Sequence, residues 1–252
     1  MGDDDDLGLD VSLFGEERVN HGGPSAPPVI WKFGDKISIS VSVSNSSSTD
    51  LMAHHVWQSS MTLSTMLANR ELTPLVDIGK ETSVVELGAG AALPSLVCDL
   101  VLNARRTIAT DYPDPNVLLA MQKNAARNNC SSNLKIVGFG WGEHPQSILD
   151  EVNGQIDVLI AADTLWIEKY HSILVQSILD LANEHTLVLL AFMHHDHDGS
   201  TAQKFLNLLK ASGFTLKHEE ARDWRRSAAN QESRSKLEYG DVLIKVFQRS
   251  SQ

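Results

Sequence analysis

From residue 83 onward the chain alternates between two hydrophobic periods. Short apolar runs at 83–87, 106–110, 134–138, 156–162 and 186–193 have the length and branching of strands. Between them, segments at about 92–103, 115–128, 145–151 and 168–184 repeat apolar residues three and four apart, as helices do. Asp114 and Pro115 supply the cap and first turn of the 115–128 helix. In the 168–184 segment Tyr170, Ile173, Leu174, Ile178 and Leu181 form one stripe, expected to pack on a sheet. A helix near 200–212 turns Ala202, Phe205, Leu206 and Leu209 inward. Two strands follow, at about 214–219 and 241–248, joined by the polar segment 220–240 with Arg222, Arg225, Arg226 and Arg234. Strands that alternate with helices predict a parallel sheet covered on both faces. Two consecutive strands at the end predict an antiparallel edge.

The pattern before residue 83 is weaker. Residues 1 to 35 are rich in Asp, Gly and Pro and read as an irregular acidic arm, leaving 36–252 as the folded domain. Ile37, Ile39, Val41 and Val43 alternate with serines, the signature of a half-buried strand. Residues 45–50 form a polar turn, and a helix is expected from about 58 to 69, with Leu63, Met66 and Leu67 on one face.

Composition narrows the class. The chain has 252 residues, 42% of them hydrophobic, enough for one sizeable α/β domain. No window approaches 18 consecutive apolar residues, so no membrane span is expected. The start Met1-Gly2-Asp3-Asp4-Asp5-Asp6 is too acidic for a signal or mitochondrial peptide, and the aspartates argue against myristoylation of Gly2. The two cysteines, Cys98 and Cys130, cannot build a disulfide framework, and a cytoplasmic, monomeric protein is expected. A net charge of −11 disfavours sequence-independent contact with nucleic acid.

The chemistry lies at strand ends. Val84-Val85-Glu86-Leu87-Gly88-Ala89-Gly90 is a strand that runs into a glycine turn and then a helix, the layout of a nucleotide cradle. A dinucleotide fingerprint asks for Gly or Ala where Leu93 stands, and Glu86 would repel a pyrophosphate. A phosphate-free, cationic ligand removes both objections. S-adenosylmethionine, with its sulfonium and ammonium, is such a ligand. Asp111 ends the second strand 21 residues after Gly90, where a ribose-binding acid is expected, although a turn or capping aspartate is the plainer alternative. Phe139-Gly140-Trp141-Gly142 follows the third strand; its indole either covers an adenine or plugs a loop. Ile160-Ala161-Ala162-Asp163-Thr164-Leu165-Trp166 ends the fourth. Asp163 is placed there to accept a hydrogen bond from an amine and Trp166 to wall the cavity, the alternative being a helix cap and a core indole.

Histidines cluster twice, at His54-His55 and at His194-His195-Asp196-His197-Asp198 after the fifth strand. Consecutive ligands on one loop rarely close a tetrahedral site, so no metal is expected; a polar rim loop is preferred over a general base.

Together these stretches resemble methyltransferase family 16, the lysine-methyltransferase-like seven-β-strand group. The carriers are Trp57, the Val85–Gly90 run, the segment from Thr110 to Pro115, Gly140-Trp141-Gly142 and Ala162-Asp163-Thr164-Leu165-Trp166. The Asp-Tyr-Pro-Asp-Pro run is most similar to the fungal branch labelled nicotinamide N-methyltransferase-like, which includes elongation-factor methyltransferase 7. The resemblance spans about residues 37–248 and implies the class I, Rossmann-like α/β fold. It implies that Trp57, Gly88, Ala89, Gly90, Asp111, Tyr112, Trp141 and Ala162 line an S-adenosylmethionine pocket, with Asp111 on the ribose and Glu86 near the methionine end. Asp163 and Trp166 then occupy the acid-x-x-aromatic motif at the substrate mouth, where the family carries Tyr or Phe and this chain a larger ring. The implied activity is N-methylation of a protein amine, a lysine or N-terminus, with an elongation factor among the acceptors. A small-molecule N-methyltransferase and an inactive cofactor-binding module are the rival readings.

Overall fold

A computed structural model of the chain describes residues 29–33, 37–41, 53, 56–196, 198–224 and 240–250. The first two strands, β1 (Val29–Phe33) and β2 (Ile37–Val41), form an antiparallel hairpin with Trp31 opposite Ile39. The stretch read as an irregular arm therefore contains a strand. Prolines at 27 and 28 and the glycine at 34 hide it in the sequence, and pairing with β2 supplies the ladder that makes it. Residues 1–28 of that arm lie outside the described residues.

The hairpin joins the main body through Trp31, which is buried in the core, and through Asn128. The Asn128 amide accepts from the Ser40 N–H and donates to the Ser40 carbonyl, both at 2.7 Å. An amide has the donor and acceptor of a peptide group, so it pairs with β2 as a neighbouring strand would.

Helix α1 (Gln58–Ala68) precedes the alternating region: β3 (Ser83–Leu87), α2 (Leu93–Leu100), β4 (Arg106–Asp111), α3 (Pro115–Arg127), β5 (Leu134–Gly138), α4 (Gln146–Glu151), β6 (Val158–Ala162), α5 (His171–Leu181), β7 (Leu187–Phe192), α6 (Ser200–Ala211), β8 (Phe214–Arg222) and β9 (Val242–Arg249). The seven strands from β3 to β9 form one sheet in the order β5-β4-β3-β6-β7-β9-β8. Pairs among β3 to β7 are parallel, and β9 runs antiparallel to β7 and β8. The expected antiparallel edge is present, and β8 extends to Arg222, into the segment expected to be a loop.

Strands β3 and β6 are buried along their whole length, as parallel strands covered on both faces must be. Successive strand residues enter opposite cores. Val84 and Ile160 join α1, α2 and α3 on one face; Val85, Leu159 and Ala161 join α5 and α6 on the other. The 168–184 segment is split into a 3-10 turn at Glu168–Tyr170 and α5. Leu174, Ile178 and Leu181 are core, as the stripe implied, whereas Ile173 is exposed and, with Tyr170, borders a cavity.

Replacing Asn128 with alanine removes three hydrogen bonds, two to Ser40 and one to the Asn124 carbonyl, and is expected to cost about 1–3 kcal/mol. Hydrogen exchange at the Ser40 amide should accelerate while β3 amides keep their protection.

Candidate active site

The chain runs β3, β4, β5 outward on one side of the sheet and β6, β7 on the other, so the order reverses between β3 and β6. Open α/β sheets bind ligands in the crevice beyond the strand ends at that reversal. A cavity of about 470 Å³ lies there, and all eleven residues singled out from the sequence line it: Trp57, Glu86, Gly88, Ala89, Gly90, Asp111, Tyr112, Trp141, Ala162, Asp163 and Trp166.

The glycine turn after β3 is held from three sides. The Ala89 N–H donates to the Thr110 carbonyl at 2.9 Å, and Thr110 Oγ1 donates to the Glu86 carbonyl at 2.7 Å. The Gly90 N–H donates to Asp111 Oδ2 at 2.7 Å. Asn124 of α3 donates to the Ala91 carbonyl at 3.1 Å. Gly88 has φ +70°, and a Cβ on it would lie 3.0 Å from Thr164 Cγ2 and 3.3 Å from Trp141 Cζ2. Glycine is required there by conformation and by space.

Two carboxylates sit beneath the turn. Glu86 shares its face of β3 with Val84 and so points at α2, where the Ser95 N–H and O–H donate to its Oε2 at 3.0 and 2.5 Å. It thereby meets orphan donors at the start of α2, whose cap position, Ala92, has no side-chain acceptor. Burial raises the Glu86 carboxyl to about 8, although the Ser95 bonds pull the other way. Asp111 also accepts the Tyr112 N–H at 2.8 Å, and burial lifts it to about 6. The capping alternative for Asp111 does not hold, because Asp114 caps α3, accepting from the Asn116 and Val117 N–H groups.

The opposite wall comes from the loops after β5 and β6. Trp141 stands edge-on to Tyr170, centroids 6.5 Å apart, and the Gly142 N–H donates to Ser177 Oγ on α5 at 2.8 Å. Asp163 is left-handed at φ +57°, its N–H donating to the Ala191 carbonyl at the end of β7 at 2.7 Å. It is not a helix cap: its Oδ1 lies 3.3 Å from His195 Nε2, and its buried Oδ2 has no partner among the described residues. His171 Nε2 lies 3.0 Å from the Leu165 carbonyl and steadies the loop to Trp166.

Sequence reasoning missed several lining residues. Tyr170 and Ile173 were assigned to the core, and Asp114 was read only as a cap. Glu143 carried no signal by spacing; its Oε2 accepts the Gly140 N–H at 3.1 Å. In the histidine loop the members separate. His195 pairs with Asp163, while exposed His194 packs edge-on against Phe192. His54, His55 and His197 lie outside the described residues. The cysteines are free thiols and poor nucleophiles: burial pushes Cys98 upward and Cys130 to about 12.

The strand order and the glycine cradle at its reversal define a class I, seven-strand methyltransferase. Residues 36–212 match the family model described as lysine methyltransferase, and the chain belongs to that family. It is similar to the protein N-terminal and lysine N-methyltransferase EFM7 of Candida glabrata, with 27% identity over 71% of this chain and 70% of that protein. With the Gibberella zeae protein of the same name it shares 26% identity over 77% of each. Mitomycin 7-O-methyltransferase MmcR shares the fold, with a TM-score of 0.53 and 13% identity over 76% of this chain and 54% of that one. The chain is an S-adenosylmethionine-dependent methyltransferase.

The cavity suits that cofactor. Five carboxylic acids line it, Glu86, Asp111, Asp114, Glu143 and Asp163, with no lysine or arginine among the described lining residues, so it favours a ligand with two positive centres and no phosphate. A cation near Glu86 lowers its pKa. At pH 7, below its value of about 8, cofactor binding is therefore expected to release a fraction of a proton. Calorimetry in buffers of different ionisation enthalpy measures that release, and Glu86→Gln should abolish it. The same group acts on stability. The cofactor-free fold holds a proton that the unfolded chain loses above about 4.5, so stability falls as pH rises toward about 8. Thermal unfolding of Glu86→Gln should show a flatter decline.

Proposed function

We propose that this protein transfers a methyl group to a protein nitrogen, the α-amine of an N-terminus or a lysine, with an elongation factor among the acceptors. The observation that carries the reading is Asp163: a buried carboxylate on the cavity wall whose Oδ2 has no hydrogen-bond donor among the described residues. A buried acceptor left alone costs about 1–3 kcal/mol, and a side-chain rotation that offers it to an amine N–H in the cavity removes that cost. The names of the fungal relatives, which specify N-terminal and lysine methylation, support the same acceptor class.

In this reading Trp57, Gly88, Ala89, Gly90, Asp111, Tyr112, Trp141 and Ala162 hold the cofactor. Asp111 has both oxygens engaged by backbone N–H groups, which fixes them to receive the ribose hydroxyls on their remaining lone pairs. Trp141 would cover the base, and Glu86 would lie toward the methionine end. The cofactor supplies an electrophilic methyl on a sulfonium centre. The protein aligns a neutral nitrogen with that methyl, and alignment is the main requirement of such a transfer. Asp163 orients the nitrogen, and Trp166 narrows the channel and offers its ring face to a cationic amine. Desolvation between Trp166 and Tyr170 favours the neutral, reactive amine.

The domain is taken to begin with the β1–β2 hairpin, preceded by the acidic arm. A monomer in the cytoplasm, free of nucleic acid, completes the proposal, and the free thiols support that compartment. No helix among the described residues is long and apolar enough to cross a membrane.

Incubation with heavy-methyl S-adenosylmethionine and a cell lysate should label a protein band. Label confined to small molecules would overturn the protein acceptor. Asparagine tolerates the left-handed backbone at position 163. Asp163→Asn is therefore expected to fold and bind cofactor normally while labelling falls on the order of 100-fold.

A further inference from the structure

The hydrogen-bond partner of Asp163 is His195. His195 lies on the loop after β7, and its side chain is 24% exposed against 2% for Asp163. Its ring stands nearly perpendicular to Trp57, at 87° and 6.4 Å between centroids. Trp57 and Asp163 both line the cavity, so the imidazole is wedged behind two wall residues and hydrogen-bonded to one of them.

We propose that His195 is the positioning residue of the acceptor site: as an imidazolium it holds Asp163 Oδ1 and offsets the carboxylate charge, so that Oδ2 orients the incoming amine without trapping it as ammonium. The inference rests on the reading of the cavity as an amine methyltransferase site.

The chemistry explains why such a partner is needed. An ammonium has no lone pair and cannot attack the methyl. A bare buried carboxylate beside the acceptor would stabilise that unreactive form. A cation on the far side of the carboxylate cancels the preference while leaving the hydrogen bond to Oδ2. The charged groups that act on His195 include, among the described residues, Asp163, from the loop after β6, and Asp196, on its own loop; just before α1 it meets the uncharged Trp57 ring. Burial alone would push the imidazole down. The hydrogen bond and charge of Asp163, with Asp196, outweigh it and hold the group above its ordinary value, which favours the imidazolium. The left-handed backbone of Asp163, tied to the Ala191 carbonyl, leaves the carboxylate little freedom except at its side-chain torsions, which the imidazole restrains.

The test is the pH profile of methyl incorporation into a cell lysate from saturating heavy-methyl S-adenosylmethionine, for wild type, His195→Gln and His195→Asn. Glutamine and asparagine can donate a hydrogen bond and carry no charge. The acid limb of the variants should move about one unit to higher pH, with about a tenfold loss at pH 7 and an alkaline plateau within about twofold of wild type. A lowered plateau with an unmoved limb, the result for a purely structural histidine, would sink the proposal, as would a profile identical to wild type. A second readout needs no activity. The imidazole of His195, followed by NMR titration, should titrate at lower pH in Asp163→Asn, and an unchanged midpoint also overturns the inference. Absence of protein labelling by wild type at every pH would instead remove the protein-acceptor reading, and this inference with it.

Discussion

The Gly90–Asp111 hydrogen bond is the constraint on which the site depends. It joins the turn after β3 to the end of β4, across 21 residues of sequence. Both ends are fixed by the sheet: parallel pairing sets Leu87 beside Thr110, so Asp111 emerges next to the glycines. The same carboxylate takes the Tyr112 N–H, which turns the chain toward Asp114 and the start of α3. Helix α3 then returns Asn124 to the turn at Ala91 and Asn128 to the hairpin. One buried acid thus couples the cradle, a ligand wall and a helix whose far end docks β2. Its burial raises its pKa to about 6, a cost that the two N–H bonds partly offset.

The other wall follows a different logic. There the loops after β5 and β6 and the start of α5 converge. Their positions are set by contacts such as Gly142 to Ser177 and Asp163 to Ala191, which cross between elements distant in sequence. The cradle is held by the sheet, and this wall by side-chain and loop bonds. The wall proposed to meet the acceptor is therefore the one more open to change without loss of the fold.

What could be read from sequence divides along that line. The apolar run from Val84 to Leu87 and the glycines after it identify strand, turn and helix because local chemistry dictates each step. Asp111 is legible because strand register converts a sequence interval into a spatial one. His195 is not legible as a partner of Asp163, since the pairing depends on β6 and β7 lying side by side and on a loop conformation that no period encodes. Tyr170 and Ile173 follow the helical stripe into the expected core, yet the break at Tyr170 turns them to the cavity. Strand β1 escapes because a five-residue strand between proline and glycine has no pattern of its own; the hairpin partner creates it.

Tyr112 and Ile173 are 56% and 38% exposed while lining the cavity, so the binding cleft has large apolar surface in contact with water. Any ligand that covers them removes that surface from solvent, which lowers the heat capacity of the complex. The enthalpy of binding then grows more favourable with rising temperature as the entropy grows less so, and the two changes largely cancel in affinity.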